Sequence, residues 1–421
     1  MNPALESAGG TRGRLLAVWH NGNLRTVLVS QLISQVGSPA TFFAIQFLAF
    51  QVYGADAFYA GLLGFFATAP YAVFSVAAGI AADRVSKRAI LLACDLLRAG
   101  LLLLLTGAIF AGWGGLPLLC LSLFCMKSLD LWFDVAFSAL IPALRGAENA
   151  FVRNSAIELT VEFGKAVGNG IAGLILAVTV PVAALLFDAA TFLASAFFVS
   201  RMDPDPRPAA VADRPGVWRD AVAGFEAVRQ DPGLRTLIAV SLAVSFLYSA
   251  YYSILFYFCS IELRLPVEEI GLVFVSIAVG GSAAALLGTL RGSRLGLAGL
   301  LHLMVAVRVV GWGLILLSGG AWTLWVLILA EGAASASITA YNVAAISCRQ
   351  ALAPPAMQGK VVGFARFITW GGVPLGALAG GALMGLFQGR MTIALLLAAL
   401  LLCGLAAGRG KGFRAIQSLG V

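Results

Sequence analysis

The chain has 421 residues, of which 60% are hydrophobic and only 11% are charged, and its mean hydropathy is +0.93. A soluble domain carries about 25% charged residues, so this composition excludes an ordinary soluble protein and indicates an integral membrane protein. The net charge of +8 does not indicate nucleic-acid binding. The basic residues lie mostly in short loops between apolar runs, which is the pattern of membrane topology.

Twelve apolar runs follow one another along the chain, and each is long enough for a membrane-spanning helix, which needs about 20 residues. Their predicted ranges are 24–52, 57–82, 89–111, 116–142, 150–178, 181–201, 234–261, 267–290, 296–318, 320–348, 358–387 and 389–408. The fold prediction is therefore an all-α polytopic membrane protein with twelve transmembrane helices.

The basic residues cluster in alternate loops, whereas the other loops hold only Arg264 and Arg390. Because cytoplasmic loops carry the excess of Lys and Arg, both terminal segments, 1–23 and 409–421, are predicted to be cytoplasmic. We expect a multi-pass protein of the cytoplasmic (inner) membrane.

The longest polar stretch, 202–233, is predicted to be a cytoplasmic linker between a bundle at 24–201 and a bundle at 234–408. Trp218, Val222, Phe225 and Val228 recur in it at helical spacing. This pattern predicts an amphipathic helix at the inner membrane surface or against the bundles. Replacing its aromatic residues should therefore affect stability more than substrate choice.

The loop between the second and third spans reads Gly79-Ile80-Ala81-Ala82-Asp83-Arg84-Val85-Ser86-Lys87-Arg88. It resembles the hallmark loop of the major facilitator superfamily: Gly, three residues, Asp-Arg, then Gly and a basic pair. Ser86 stands where that family usually has Gly. The resemblance implies a gating loop made by Gly79, Asp83, Arg84, Lys87 and Arg88. We expect Asp83 to meet the positive helix end near Met357 to Lys360 in the outward-open state.

The two halves of the chain repeat with an offset of 208 residues. Adding 208 to Gly164, Gly168 and Gly173 gives Gly372, Gly376 and Gly381. Two parallel six-helix repeats, with a substrate site between them near the membrane midplane, are a known transporter architecture. The resemblance therefore implies two pseudo-symmetric six-helix bundles, the major facilitator fold.

Within that superfamily the chain is similar to bacterial efflux proteins of the macrolide and enterobactin exporter type. The stretches that carry the likeness are Asp95 to Arg98, Phe133 to Pro142, Asn154-Ser155 and Phe187 to Phe192. The glycines of the fifth span also resemble the antiporter motif of the superfamily, which implies export by exchange. The alternative is that small residues every four positions only let helices pack closely.

Charged residues inside the spans are the candidate coupling groups, because an intramembrane charge usually faces a partner or water. Lys127, Asp130 and Asp134 share one face of the fourth span. Glu158, Glu162 and Lys165 share one face of the fifth. A carboxyl in such a layer can carry a proton across. The predicted order is Glu162, Glu158 and Asp130, with Asp134 and Glu331 as further candidates.

The alternative interpretation of these charges is a set of neutralising pairs. Lys127–Asp130 and Glu162–Lys165 could pair only to permit insertion. We also expect Asp95–Arg98 and Arg308–Glu331 to be structural ion pairs. The two interpretations differ in whether the carboxyls carry protons.

The predicted substrate cavity is apolar and aromatic, with a few polar groups. Its candidate residues are Gln31, Gln35, Phe42, Lys127, Lys165, Tyr248, Tyr252, Phe256 and Tyr341. Such a lining suits an amphipathic organic molecule better than a sugar, which needs many hydrogen-bonding side chains.

The function predicted from these features is secondary active export of a small amphipathic compound by alternating access. The compound would be a drug, an antibiotic or a siderophore-like metabolite, exchanged for protons. The alternatives are a lipid or lysolipid transporter and a non-transporting receptor. The sequence contains no paired Glu-His zinc motif, no Ser/His dyad and no nucleotide loop, so we expect no enzyme. We expect no catalytic residue, no metal and no cofactor beyond the proton gradient. The expected partners are the substrate and the lipid bilayer, without nucleic acid, and the protein is expected to be a monomer.

Overall fold

The computed structural model describes residues 22–140, 150–203, 217–291, 296–317, 319–353 and 357–409. Within these ranges the regular elements are helices, and none is a strand. The all-α prediction is confirmed. The expectations for most of the N-terminal segment, the proline-rich start of the linker and the C-terminal tail lie outside the described residues.

The helices, in chain order, are long enough to cross a bilayer, apart from α7. They are α1 (Gly22–Phe47), α2 (Ala57–Arg84), α3 (Lys87–Phe110), α4 (Leu116–Leu140), α5 (Ala150–Val178), α6 (Pro181–Ser200), α7 (Val217–Gln230), α8 (Pro232–Tyr257), α9 (Val267–Arg291), α10 (Leu297–Leu317), α11 (Thr323–Leu352) and α12 (Gln358–Arg409). Short π-helical segments, Leu48–Val52 and Phe258–Glu262, extend α1 and α8.

The described residues contain 11 segments that are long and apolar enough to span a membrane. The last of them, Lys360–Ala406, has 47 residues, which at about 1.5 Å per residue is roughly 70 Å, twice the membrane core. Gln388 interrupts it with φ 62° and ψ 167°. The backbone N–H of Gly389 turns there to donate to Glu262 at 2.6 Å. α12 therefore contains the predicted eleventh and twelfth spans.

The described residues fall into two compact units. The first lies within Met1–Ile45 and Val73–Ala212, and the second within Gln46–Ala72 and Asp213–Val421. In the first unit α3 packs against α4 and α6. A core formed by side chains such as Leu91, Phe133 and Val199 fills the space between them. In the second unit α12 packs along α8, and α11 packs against α9 and α10.

Glycines set the closest helix contacts in both units. A β-carbon placed at Gly168 of α5 would lie 2.5 Å from the carbonyl oxygen of Val36 in α1. In the second unit, a side chain at Gly376 of α12 would collide with the carbonyl oxygen of Phe246 in α8. Backbones approach this closely only where no side chain intervenes. The 208-residue repeat is thus present as the same contact in each unit.

The amphipathic helix α7 is part of the second unit and packs on its neighbouring helices. Val228 is buried with Leu234 and Val361, and the ring of Phe225 lies 5.7 Å from that of Phe364. The apolar stripe found in the sequence therefore packs partly on α8 and α12. The side chain of Trp218 lies outside the described residues.

Candidate functional site

A buried ionic cluster joins three helices of the first unit. The Arg98 guanidinium on α3 donates to Asp95 of the same helix at 2.5 Å and to Asp130 of α4 at 2.9 Å. Asp95 also accepts from the Ser195 hydroxyl of α6 at 2.7 Å. The predicted Asp95–Arg98 pair is confirmed, and it is part of a cluster that joins three helices.

The cluster is electrically balanced. Lys127 donates to the second oxygen of Asp130 at 2.9 Å, so two cations face the two carboxylates of Asp95 and Asp130. The Arg98 guanidinium also lies over the Phe133 ring, 4.5 Å from its centroid. Removing charges from water is costly unless each is paired and hydrogen-bonded. These contacts meet that condition.

A second ion pair lies on α5. Lys165 donates to Glu162 at 2.8 Å, and their side chains are 45% and 24% exposed. Asp134, one turn beyond Asp130 on α4, is exposed. The side chain of Glu158 lies outside the described residues. The two ion pairs of the neutralising interpretation, Lys127–Asp130 and Glu162–Lys165, are both present. Asp130 also binds a second cation, Arg98, which the sequence did not predict.

Asp188 on α6 is a functional candidate that the sequence reasoning did not select. It is fully buried, and its carboxylate accepts from the hydroxyl of Thr41 on α1 at 2.5 Å and from that of Thr191 at 3.1 Å. The sequence signal for such a site is an acidic residue inside an apolar span, followed one helical turn later by a threonine. In the sequence it stands within the stretch Phe187 to Phe192, which carries part of the family resemblance.

The second unit has its own buried polar group. Glu331 of α11 accepts a hydrogen bond from the Tyr251 hydroxyl at 2.7 Å. Among the ion pairs of the described residues none joins Glu331 to Arg308, so the predicted direct contact is not formed, although Arg308 is a charged neighbour of Glu331. Arg308 instead lies over aromatic rings, 5.1 Å from the centroid of Tyr248 and 5.3 Å from that of Trp312. The group that reaches the Glu331 carboxylate is thus a tyrosine hydroxyl of α8.

A small cavity of about 10 Å³, roughly the room that one water molecule needs, lies beside Arg308 in this unit. Its lining is Val244, Leu247, Tyr248, Met304, Arg308, Trp312, Ile338 and Leu400. The Arg308 Nη1 atom is buried without a hydrogen-bond partner. The cavity is therefore apolar and aromatic, with one cationic group.

Of the predicted cavity residues in the second unit, one lines this cavity and others are buried elsewhere. Tyr248 lines the cavity and stacks on Tyr252, with ring centroids 5.6 Å apart. Phe256 and Tyr341 are fully buried side chains of the second unit, and neither lines this cavity.

The predicted cavity residues of the first unit lie along α1. The Oε1 atom of Gln31 is buried without a partner. Gln35 lies against Gly164 of α5. Phe42 is half-buried, and its ring meets that of Phe43 edge to face, with centroids 6.0 Å apart.

Hydrogen bonds fix the loop between α2 and α3, both within α3 and to the end of α6. Ser86 caps α3 by accepting from the Ala89 N–H at 3.3 Å. Arg88 donates to the carbonyl oxygens of Val199 and Ser200 at the end of α6, at 3.3 and 2.5 Å. A cation is favourable at the C-terminal end of a helix. Arg84 is exposed and Lys87 is half-buried, while the side chain of Asp83 lies outside the described residues, so its predicted gate contact stays a prediction.

The glycines of the antiporter-like motif pack helices in both units. Gly164 and Gly168 lie against α1, and Gly372 against Leu242 of α8. A β-carbon at Gly381 would lie 2.6 Å from the Cα atom of Gly61 in α2, and Gly173 is buried. Within the described residues no group of three His, Cys, Asp or Glu side chains could hold a metal ion.

Comparison with known proteins gives a consistent result. The sequence model described as "Major Facilitator Superfamily" matches residues 27–376. The multidrug efflux pump Tap of Mycolicibacterium fortuitum is 28% identical over 276 residues, which are 63% of this chain and 66% of that protein. The match thus spans just under two thirds of the relative's length.

Solved structures share the fold at low sequence identity. The nucleoside transporter NupG has a TM-score of 0.77 at 12% identity, over 92% of this chain and 98% of that chain. A bacterial homologue of the iron transporter ferroportin, in an inward-facing state, has a TM-score of 0.67 at 17% identity, over 91% and 97%.

Proposed function

We propose that this chain, which belongs to the Major Facilitator Superfamily, is a secondary active exporter of small amphipathic organic compounds driven by proton antiport. It is a multi-pass membrane transporter and not an enzyme. Export rests on its likeness to a multidrug efflux pump. The substrate class, the coupling ion and the inner-membrane location with cytoplasmic termini are parts of the proposal.

The observation that carries the proposal is the partly exposed charge on α4 and α5. Lys127 and Asp130 lie in the middle of the 25-residue α4, and Glu162 lies in the middle of the 29-residue α5. Their side chains are 28%, 16% and 24% exposed. Charges at this depth are too costly to face hydrocarbon, so they face a partner and water. A water-filled cavity at mid-depth is what alternating access requires.

Within this proposal the carboxyls of α4 and α5 exchange protons with that water. Glu162 is the first candidate because it is partly exposed and its one cationic partner, Lys165, is more exposed still. Asp134 is exposed, and Glu158 precedes Glu162 by one turn. Asp130 is a weaker candidate than Glu162, because two cations, Arg98 and Lys127, bind its carboxylate. Glu331 is the candidate of the second unit.

The preference for amphipathic compounds rests on the aromatic surfaces of the second unit. Tyr248 lines the small cavity beside the Arg308 guanidinium, and Trp312 is buried there against the Tyr251 ring. This combination suits a ring-containing molecule that also carries a hydrogen-bond acceptor. It offers few of the paired polar groups that a sugar requires.

The proposal is tested by counterflow in liposomes that contain the purified full chain. Liposomes are loaded with an unlabelled compound, and uptake of the labelled form is followed. The compounds are ethidium, a macrolide antibiotic, a catecholate iron chelator and a lysophospholipid. Counterflow of one or more of the first three is expected. Counterflow of the lysophospholipid alone would indicate the lipid transporter, and binding without counterflow would indicate the receptor.

A further inference from the structure

We propose that Asp188 is a buried proton-binding site that acts on α1, an inference that rests on the proposed proton antiport. α1 itself contains no acidic residue between Gly22 and Phe47. The carboxyl that meets it comes from α6, where Asp188 bonds to the Thr41 hydroxyl. Asp188 lies seven residues after Pro181, about 10 Å along a 20-residue helix, and is therefore close to its middle.

The first argument is charge. Among the described residues no Lys or Arg lies within ion-pair distance of Asp188, and its hydrogen-bond donors are the two hydroxyls of Thr41 and Thr191. A buried carboxylate without a cation is unfavourable, and taking up a proton removes the charge.

The charged neighbours do not supply the missing cation. On α3 and α4, Arg98 and Lys127 are bound to Asp95 and Asp130. On α5, Lys165 is bound to Glu162. On α6 itself, the polar side chains of the same face are the hydroxyls of Thr191 and Ser195. These ion pairs carry equal numbers of cations and carboxylates, and Asp134 of α4 adds a further, exposed carboxylate. Among these groups no cation therefore remains to offset the charge of Asp188.

The second argument is that the site accommodates both protonation states. A hydroxyl can donate to a carboxylate and accept from a carboxylic acid. Thr191 can also donate to the backbone carbonyl of Asp188, at 2.8 Å. When Asp188 gains a proton, donor and acceptor can therefore exchange roles in its hydrogen bond with Thr41, and both groups stay hydrogen-bonded.

The third argument is that α1 lacks a regular backbone hydrogen bond close to Thr41. Pro39 lies two residues before Thr41 and cannot donate the usual helical hydrogen bond. Gly37 approaches α6 so closely that a side chain there would collide with Asp188 and Thr191. On the other side, a β-carbon at Gly168 of α5 would lie 2.9 Å from the Pro39 ring. Residues 35–41 of α1 are thus held between α5 and α6, at a place where the helix bends easily.

These arguments give Asp188 a role that the carboxyls of α4 and α5 do not have. Glu162 exchanges its proton with water, whereas Asp188 holds a proton away from water and transmits its presence to α1 through Thr41. The proton on Asp188 then biases the bend of α1 at Pro39.

The first test is an infrared titration of the purified full chain in nanodiscs, which needs no substrate. Spectra of wild type and Asp188→Asn are compared from acidic to alkaline pH in the carboxylic acid stretching region. The matched control is Asp56→Asn, which changes a cap that accepts from the Phe58 and Tyr59 N–H groups. We expect one pH-dependent carboxylic acid band to be lost in Asp188→Asn and kept in the control. A spectrum of Asp188→Asn identical to wild type, or loss of a band that does not change with pH, would overturn the inference.

The second test keeps the carboxyl and changes its partner. Thr41→Val removes one donor to the carboxylate, so the pH at which this band disappears should move upward. Thr106→Val is the control, because its hydroxyl is buried without a partner. An unchanged titration in Thr41→Val would contradict the proposed contact.

Transport assays separate this inference from the function on which it rests. With a compound that passes the counterflow test, Asp188→Asn should lose accumulation driven by a pH gradient and keep exchange at equal pH within about twofold. Retained accumulation in Asp188→Asn overturns the inference but leaves antiport intact. If wild type shows no gradient-driven accumulation while the Asp188 band titrates, antiport fails and the proton site stands.

Discussion

Replacing Arg98 with Met removes the guanidinium that binds two carboxylates inside the first unit. The Arg98 side chain is 4% exposed, and that of Asp95 is 0% exposed. In Arg98→Met, Asp95 keeps only the Ser195 hydroxyl, and Asp130 keeps only Lys127. Breaking a buried ion pair by removing one partner costs about 3–5 kcal/mol. Met fills much of the volume, so the loss of charge compensation dominates.

The change is measured by thermal unfolding in detergent with a thiol-reactive dye. The chain suits this assay because its six cysteines are free, and four of them, including Cys94, are buried. At about 2–4 °C for each kcal/mol, the expected decrease in melting temperature is roughly 6–20 °C.

Two further variants make this prediction specific to charge. In Arg98→Met with Asp95→Asn, one cation and one carboxylate are removed together, so much of the lost stability should return. Arg201→Met is the matched control, since Arg201 is exposed and lies over the exposed Phe197 ring. It should change stability by less than about 0.5 kcal/mol. If Arg98→Met melts like Arg201→Met, or if adding Asp95→Asn lowers stability further, the ionic cluster is not what holds these helices together.

Four other outcomes are expected. Glu162→Gln should abolish accumulation driven by a pH gradient and leave exchange largely intact; if both persist, coupling lies elsewhere. Gly168→Val should destabilise the first unit by about 1–3 kcal/mol through overpacking, as measured by melting temperature. Gly100→Val, at a position with nothing within 4 Å, should have little effect, and equal effects would contradict this packing. Phe225→Ala should lower the melting temperature through loss of an aromatic contact worth about 0.5–1.5 kcal/mol, with an unchanged order of preferred compounds. Asp83→Asn should slow transport and shift cross-linking toward the inward-open state, and normal cross-linking would exclude the gate role.

The spans and the internal repeat could be predicted because they depend on composition and local pattern. The lengths of the apolar runs alone predicted that the region of α12 holds two spans, 358–387 and 389–408. Gln388, where the backbone of α12 is not helical, falls between these two ranges. The glycine offset of 208 residues predicted a repeat of the first half in the second, and Gly168 and Gly376 make equivalent close contacts.

The partners of the buried charges could be predicted only when both lay on one helix. Asp95 and Arg98 are three residues apart, so helix geometry brings them together. The bond from Arg98 to Asp130 joins two helices and depends on their relative rotation, which hydropathy does not determine. The same limit explains why Glu331 was assigned to Arg308 although Tyr251 reaches it. It also explains why Asp188, whose partner is on α1, was not selected.

The most direct test of proton-driven export is accumulation of a counterflow substrate by the wild-type full chain in liposomes under an imposed pH gradient. A pH-sensitive dye inside the liposomes reports proton movement in the same sample. Exchange of one proton for each substrate molecule predicts accumulation of up to about tenfold for each unit of pH difference, because one unit corresponds to about 1.36 kcal/mol. Protons should move in the opposite direction to the substrate. Counterflow without gradient-driven accumulation, or accumulation without proton movement, would contradict proton antiport.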